Sequence, residues 1–404
     1  MWIKLTTLAL LYFVQGAPYG FQSACLPLIL RSFGMSFTSL GLMKLLFLPW
    51  VLKPFYAPLV DKYFTRKWWL QSSMLALALT CLVTSVAVDE SQITKLSILL
   101  FLLNLFSSVQ DIAVDSLAVS LLNENELGAG NTVQVVAYKA GSMFAGSLLL
   151  FVREVYGWTI MFMAFSSIYF LTILLCNVIE IQEKKIKDKK EEETKIESLT
   201  TEVLRIFQVP GTIWMVFFVL TYKLCERAEQ TFALYLVDQG IAREELAILS
   251  TFIRAFSILG STVSGLILTK YRASNIVQCF AVSRTMTILA MTFVIFQNQI
   301  QTFKYFGYLS ICLTSISAGG ITTAAFTMMM TLSQKADQAF QGTHYSILAT
   351  CEVLGKLLFA AFAGWLTDLV GLQAIFAFFS LLAVMVVIFI RTFSEVNANK
   401  LKIS

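Results

Sequence analysis

The stretch 139-KAGSMFAGSLLLFVREVYGWTIMF-162 lies on 353-VLGKLLFAAFAGWLTDLVGLQAIF-376 without a gap. Gly141 meets Gly355, Glu154 meets Asp368 and Phe162 meets Phe376, always 214 residues apart. Lys62-Tyr63 maps near Lys270-Tyr271 at almost the same shift, so the chain reads as one unit used twice. The individual identities are few; their order and spacing carry the repeat.

Each repeat is built from membrane helices. Of the 404 residues, 57% are hydrophobic and only 14% charged, outside the range of soluble domains. Apolar runs long enough to cross a bilayer recur at 5–30, 36–59, 68–88, 96–122, 129–152, 158–180, 210–237, 246–269, 275–297, 304–332, 340–366 and 371–391. The first follows Met1-Trp2-Ile3-Lys4 and stays apolar too far for a short cleavable signal, so it is expected to be retained. The predicted fold is all-α integral membrane, with twelve transmembrane helices in two pseudo-symmetric six-helix bundles. The expected domains are a half at 1–180, a charged cytoplasmic linker at 181–205, a second half at 206–392 and a cytoplasmic tail at 393–404. Parallel repeats of this kind predict a substrate site between the halves near the midplane.

Loop charges orient the chain. With both termini in the cytosol, seventeen Lys and Arg fall on inner segments and only five (Arg31, Lys95, Arg153, Arg243, Lys304) on outer ones, as the positive-inside rule requires. The net charge of +5 then follows from topology and calls for no nucleic acid. The membrane itself, plasma or internal, is left open. Seven cysteines inside predicted spans show no CxxC spacing and read as packing residues, so no metal or cofactor is expected. A monomer in the lipid bilayer is the expected state.

Ionisable side chains inside spans cost several kcal/mol each and need a partner, water or a task. Lys44, Lys53, Asp111, Asp115, Lys139, Lys223, Glu226, Arg227, Glu229, Arg254, Arg284, Glu352 and Lys356 are the candidates. Asp111/Asp115, Lys223/Arg227 and Glu352/Lys356 are four apart and share a helix face. Eight cations against five anions favour an anionic substrate, which Arg can grip bidentately. The competing reading pairs the charges structurally, Glu352 with Lys356 and Asp111 or Asp115 with Lys139. Lys44, Lys53 and Arg254, near predicted helix ends, read as snorkelling to headgroups. The five carboxylates are candidates for a coupling proton. Gln15 and Gln110 are amides that must find buried partners or water.

Ala57-Pro-Leu-Val-Asp61-Lys62, with Arg66-Lys67 following, resembles the loop motif of the major facilitator superfamily, Gly-x-x-x-Asp-Arg/Lys-x-Gly-Arg-Arg/Lys. Ala57 and Phe64 stand for its glycines and Thr65 for an arginine, so its gating role carries to Asp61, Lys62 and Arg66. Gly41 to Asp61 (G-L-x-K-L-x-x-L-P-W-x-L-K-P-x-x-A-P-L-V-D), Ser108-Val-Gln110-Asp111-Ile-Ala-Val-Asp115 and Phe340-Gln-Gly-Thr343-His-Tyr345 are similar to the AmpG muropeptide permeases and the acetyl-coenzyme A transporter family. The resemblance covers both halves. It implies alternating-access secondary transport of a bulky anionic metabolite, acetyl-coenzyme A-like, or of a cell-wall-like conjugate, with protons as a candidate second partner, and points to Lys53, Asp61, Gln110, Asp111, Asp115, Thr343 and Tyr345.

Two other classes share part of this pattern. A membrane-embedded acyl-transfer enzyme would need a nucleophile and base, and the single histidine, His344, shows no triad around it in sequence. A transporter-like sensor or scaffold without transport shares every feature above except the need for a substrate. The reading is of a transporter and no enzyme.

Overall fold

The computed structural model describes residues 2–26, 29–30, 43–88, 92–178, 207–241, 243–297, 300–338 and 340–400. The expected linker at 181–205 lies outside the described residues, as does the Lys44 side chain. Twelve helical rods, α1 to α12, are traced among the described residues. α1 is Trp2–Gly20 and runs into a π turn, Phe21–Cys25, three residues after Pro18. α2 is assembled from a 3-10 turn Met43–Phe47, a short helix Leu48–Val51 and Lys53–Lys62. α3 is Arg66–Ala87 and α4 is Ile93–Leu121.

Leu127–Val178 is divided at Gly157 into α5 and α6. α7 is broken in mid-course, with Thr212–Thr221 and Arg227–Asp238 joined through the turn Leu224–Glu226. α8 is Arg243–Leu268, α9 Ala273–Gln297 and α10 Ile300–Ser333. Gln341–Lys400 is divided at Gly371 into α11 and α12.

Among the described residues, seven helical stretches are long and apolar enough by themselves to cross a membrane, in α3, α4, α6, α8, α9, α10 and α12. The remaining rods are those with interruptions or buried polar groups. α1 has Gln15, Pro18 and the π turn, α2 and α7 come in pieces, α5 carries the buried Gln134, and α11 carries the buried Glu352. Broken and polar helices in a bilayer are tolerated where neighbouring helices or water satisfy the freed groups.

Contacts divide the chain into two compact units. The first contains Met1–Glu126, Val133–Pro210 and Met330–Thr350; the second contains Leu127–Thr132, Gly211–Met329 and Cys351–Ser404. Within the first, a Cβ on Gly141 of α5 would overlap the Phe13 carbonyl oxygen of α1. Within the second, a Cβ on Gly355 of α11 would overlap the Leu220 carbonyl oxygen of α7. The two glycines paired in sequence therefore make the same close helix approach, each in its own unit.

The correspondence continues through hydrogen bonds. Ser166 Oγ of α6 donates to the Ala78 carbonyl of α3 at 2.8 Å, and Ser380 Oγ of α12 lies 2.8 Å from Thr292 Oγ1 of α9. Both residues of the second pair are 214 positions beyond those of the first. Gly157 and Gly371 end α5 and α11 with nearly the same backbone, φ 88, ψ 174 and φ 81, ψ 170, a region open essentially to glycine alone.

The loop after α2 shows how the chain copes without its motif glycine. Phe64 takes φ 60, a left-handed conformation that costs a residue with a Cβ about 1–2 kcal/mol. Its ring stacks on Trp68 at 4.1 Å, and Thr65 Oγ1 accepts the Trp68 N–H at 3.1 Å to cap α3.

Two buried ionic networks as candidate functional sites

In the first unit the charges gather on α4. Asp111 and Asp115 share one face, one turn apart, as their spacing predicts. Lys53, only 6% exposed, forms an ion pair with Asp111 and lies 4.4 Å from the centre of the Trp50 ring. The expected snorkelling of Lys53 is thereby corrected. It starts the last segment of α2 just after the break at Leu52, which turns it inward to the carboxylate. Asp111 takes Lys53, the pairing with Lys139 foreseen from sequence being replaced in this structure, and Lys139 is half-buried on α5.

Asp115 has neutral hydrogen-bond donors. Its Oδ1 accepts from Tyr12 Oη at 2.9 Å and from Gln134 Nε2 at 3.1 Å. Gln134 also meets Tyr345, with Nε2 3.2 Å and Oε1 3.3 Å from the phenol oxygen. Among the described contacts, this buried network brings two carboxylates together with the ammonium of Lys53. Toward the other end of α4, Gln22 and Asn104 exchange amide hydrogen bonds at 3.1 and 2.7 Å, and Trp50 Nε1 donates to Asn104 at 3.1 Å. Gln110, 0% exposed, makes no hydrogen bond to protein through either amide atom, nor does Gln15 through Oε1.

The second unit is built around the break in α7. Interrupting a helix frees carbonyls that need donors. Arg284 of α9, the largest fully buried side chain, donates from Nη2 to the Tyr222 carbonyl at 2.6 Å. Its Nε and Nη1 are buried without a hydrogen-bond partner in the protein. Lys223 forms an ion pair with Glu352 of α11, and Tyr222 Oη donates to the same carboxylate at 3.1 Å. The break directs consecutive residues to one acceptor. Glu352 is thus held by Lys223 and not by Lys356, which is exposed on α11. Glu226 is half-buried beside Lys223, and Arg227 Nη1 donates to Gln230 at 2.6 Å. Arg254 is exposed on α8.

The motif residues sit at the end of α2. Asp61, buried, accepts at Oδ2 from the Thr343 backbone N–H at 2.6 Å and from Thr343 Oγ1 at 2.8 Å, and at Oδ1 from Ser116 Oγ at 3.0 Å. It caps the first turn of α11. Arg66 is buried beside it and Lys62 is exposed. Beyond the cap, Ser333 Oγ lies 2.8 Å from His344 Nδ1 and Gln334 Nε2 donates to the Val119 and Leu122 carbonyls, so the α10–α11 corner is pinned to the end of α4.

Sequence reasoning missed Tyr12, Gln134 and Tyr222. Tyr12 lies one turn from Gln15 and Tyr222 adjoins Lys223, so local spacing to charged or amide residues was their signal. Gln134 had none, because its partners Asp115 and Tyr345 come from two other helices.

The Major Facilitator Superfamily pattern matches residues 8–340. The chain belongs to that superfamily. An uncharacterized protein of Haemophilus influenzae is 25% identical over 94% of this chain and 92% of its own length. The anhydromuropeptide permease of Escherichia coli is 21% identical over 92% of this chain and 76% of its own. The solved structure of the E. coli fucose:proton symporter FucP, at 15% identity, superposes with a TM-score of 0.76 over 96% of this chain and 98% of that one. The major facilitator fold explains the twelve spans and the repeat together: the chain is a multi-pass, all-helical membrane protein of a transporter family. The AmpG resemblance noted in the motifs is matched by the permease among these relatives.

Proposed function

We propose that this major facilitator protein is a secondary active transporter of an anionic organic solute, acetyl-coenzyme A-like by its resemblance, coupled to protons and working by alternating access. The observation that carries the anion is Arg284. A guanidinium buried to 1% exposure, using one nitrogen on a backbone carbonyl and leaving two nitrogens without protein partners, is a receptor for carboxylate or phosphate. A buried cation of this kind in a membrane helix is costly unless it has a task.

In this reading Lys223, Glu226, Arg227, Glu352 and Lys356 set the field around the anion in their own unit, and Lys139 is a candidate cation of the other unit. Asp115 takes the proton, because Lys53 pairs with Asp111 and the hydrogen bonds to Asp115 among the described residues come from the neutral Tyr12 and Gln134. Within the first unit Gln15 and Gln110 are amides able to meet a polar ligand, and Asp61, Lys62 and Arg66 form the gate at the end of α2. The muropeptide handled by the E. coli relative widens the solute class to be tried.

Purified protein in liposomes, given labelled acetyl-coenzyme A, a muropeptide or other organic anions under an imposed inward proton gradient, tests the reading. Uptake of one of them, stimulated by the gradient, is expected. Folded protein that moves none of them under any gradient overturns it.

A further inference from the structure

Trp68 ends an apolar stripe that runs the length of α3. Trp68, Leu75, Leu79, Leu82 and Val86 recur at helical spacing on one face and are all exposed, while Leu70, Leu77, Cys81 and Thr84 are buried on the opposite face. Trp68 and Val86 are eighteen residues apart, about 27 Å along the axis and close to the hydrocarbon thickness of a bilayer. An exposed apolar face of this length belongs against lipid. It sets Trp68 at the boundary between acyl chains and headgroups, where tryptophan is favoured.

Phe64 widens that boundary. It stands where the superfamily's loop motif has glycine and holds φ 60, a conformation that is costly for a residue with a Cβ and open to glycine. Its ring does not enter the core. It stacks on Trp68 at 4.1 Å, meets Trp69 edge-on at 6.3 Å and stays 65% exposed next to the exposed Tyr63. Trp69 Nε1 donates to the Tyr63 carbonyl at 2.6 Å and so fixes the turn that carries the rings. The charge around them is of one sign: Lys62 is exposed, Lys67 is half-buried, and the segment 62–87 contains no Asp or Glu. Arg66, the third cation, is buried beside Asp61.

We propose that this turn is a docking site for an anionic phospholipid, with the Phe64 and Trp68 rings against its glycerol and upper acyl region and Lys62 and Lys67 at its phosphate. Flat exposed rings and ammonium groups on one turn match a molecule with an apolar body and a negative head. All of these residues lie in the first unit. The site uses none of the residues of the two ionic networks and needs no solute.

Full-length protein in vesicles of phosphatidylcholine with a minor share of phosphatidylglycerol tests the proposal. The emission of each protein minus that of its Trp68→Phe form isolates the Trp68 signal, which lipid brominated near the top of the acyl chains quenches by contact. Brominating the phosphatidylglycerol should quench this signal about twofold or more as strongly as brominating the same molar share of phosphatidylcholine. Lys62→Gln with Lys67→Gln should bring the two to equality, while bromination of all the lipid still quenches. Phe64→Gly, relieved of the left-handed strain, should keep the fold and weaken the preference. Inorganic phosphate at matched ionic strength should change nothing. Equal quenching by the two brominated lipids in the wild type overturns the proposal, as does a preference that survives the paired lysine change. A Trp68 signal quenched by aqueous iodide and by no brominated lipid places the rings in water and overturns it too. A preference untouched by Phe64→Gly removes Phe64 from the site, and one abolished by phosphate gives the site to a free anion and overturns the lipid.

Discussion

Asp61 holds Thr343 twice through one oxygen, on the backbone N–H at 2.6 Å and on the hydroxyl at 2.8 Å. These residues are 282 positions apart, yet they pack in the same compact unit, because Met330–Thr350 folds with the N-terminal helices. The first N–H groups of a helix have no partner of their own and sit at the positive end of its dipole, so a buried carboxylate is the strongest cap available. The fit is close: a Cβ on Gly342 would overlap Ser116 Oγ, the third ligand of Asp61.

Asp61→Asn keeps the acceptor and removes the charge. It should lower stability by about 1–2 kcal/mol, the worth of a good cap with charge assistance, seen as a reduced unfolding midpoint in detergent. Combined with Thr343→Val, the effects should be less than additive, since both act on the hydroxyl bond between Thr343 and residue 61. Full additivity would mean the two residues do not act together.

Lys223 and Glu352 offer a test of the second network. Lys223→Met alone leaves a buried carboxylate with Tyr222 as its remaining partner and should cost about 3–5 kcal/mol. Adding Glu352→Leu should recover most of that stability, because removing both charges also removes their desolvation cost. Transport should stay low in both. A double variant less stable than the single one would show that the ion pair itself is the main support of α7 and α11.

The repeat makes a paired prediction. Gly141→Val and Gly355→Val should each destabilise their own unit by about 2 kcal/mol or more, since the added side chain meets a backbone carbonyl rather than a movable group. Thermal unfolding that is unchanged by one of them and lowered by the other would break the structural equivalence drawn from the 214-residue shift.

Much of this architecture was legible because it is periodic. The apolar runs gave the helices, and the sequence repeat returns as a close helix approach at Gly141/Gly355 and as a backbone conformation at Gly157/Gly371. Intramembrane charges were legible as exceptions to the same pattern. Their pairing was not, because spacing along one helix shows only which groups share a face. Glu352 with Lys356 satisfied that rule, but the break in α7 brings Lys223 to Glu352 instead. Lys53 looked like a headgroup lysine until the interruption at Leu52 turned it to Asp111. Interruptions of a helix are set by tertiary packing, and they decided both cases.

The most direct test of the central claim compares wild type with Arg284→Gln in liposomes at matched protein incorporation, using the labelled anion that the wild type accumulates. Loss of a charged hydrogen-bond donor from the bound anion should cut initial uptake by about tenfold or more, with orientation and folding unchanged. Wild-type uptake by Arg284→Gln would contradict the account, because the buried guanidinium would then serve the protein and not its solute.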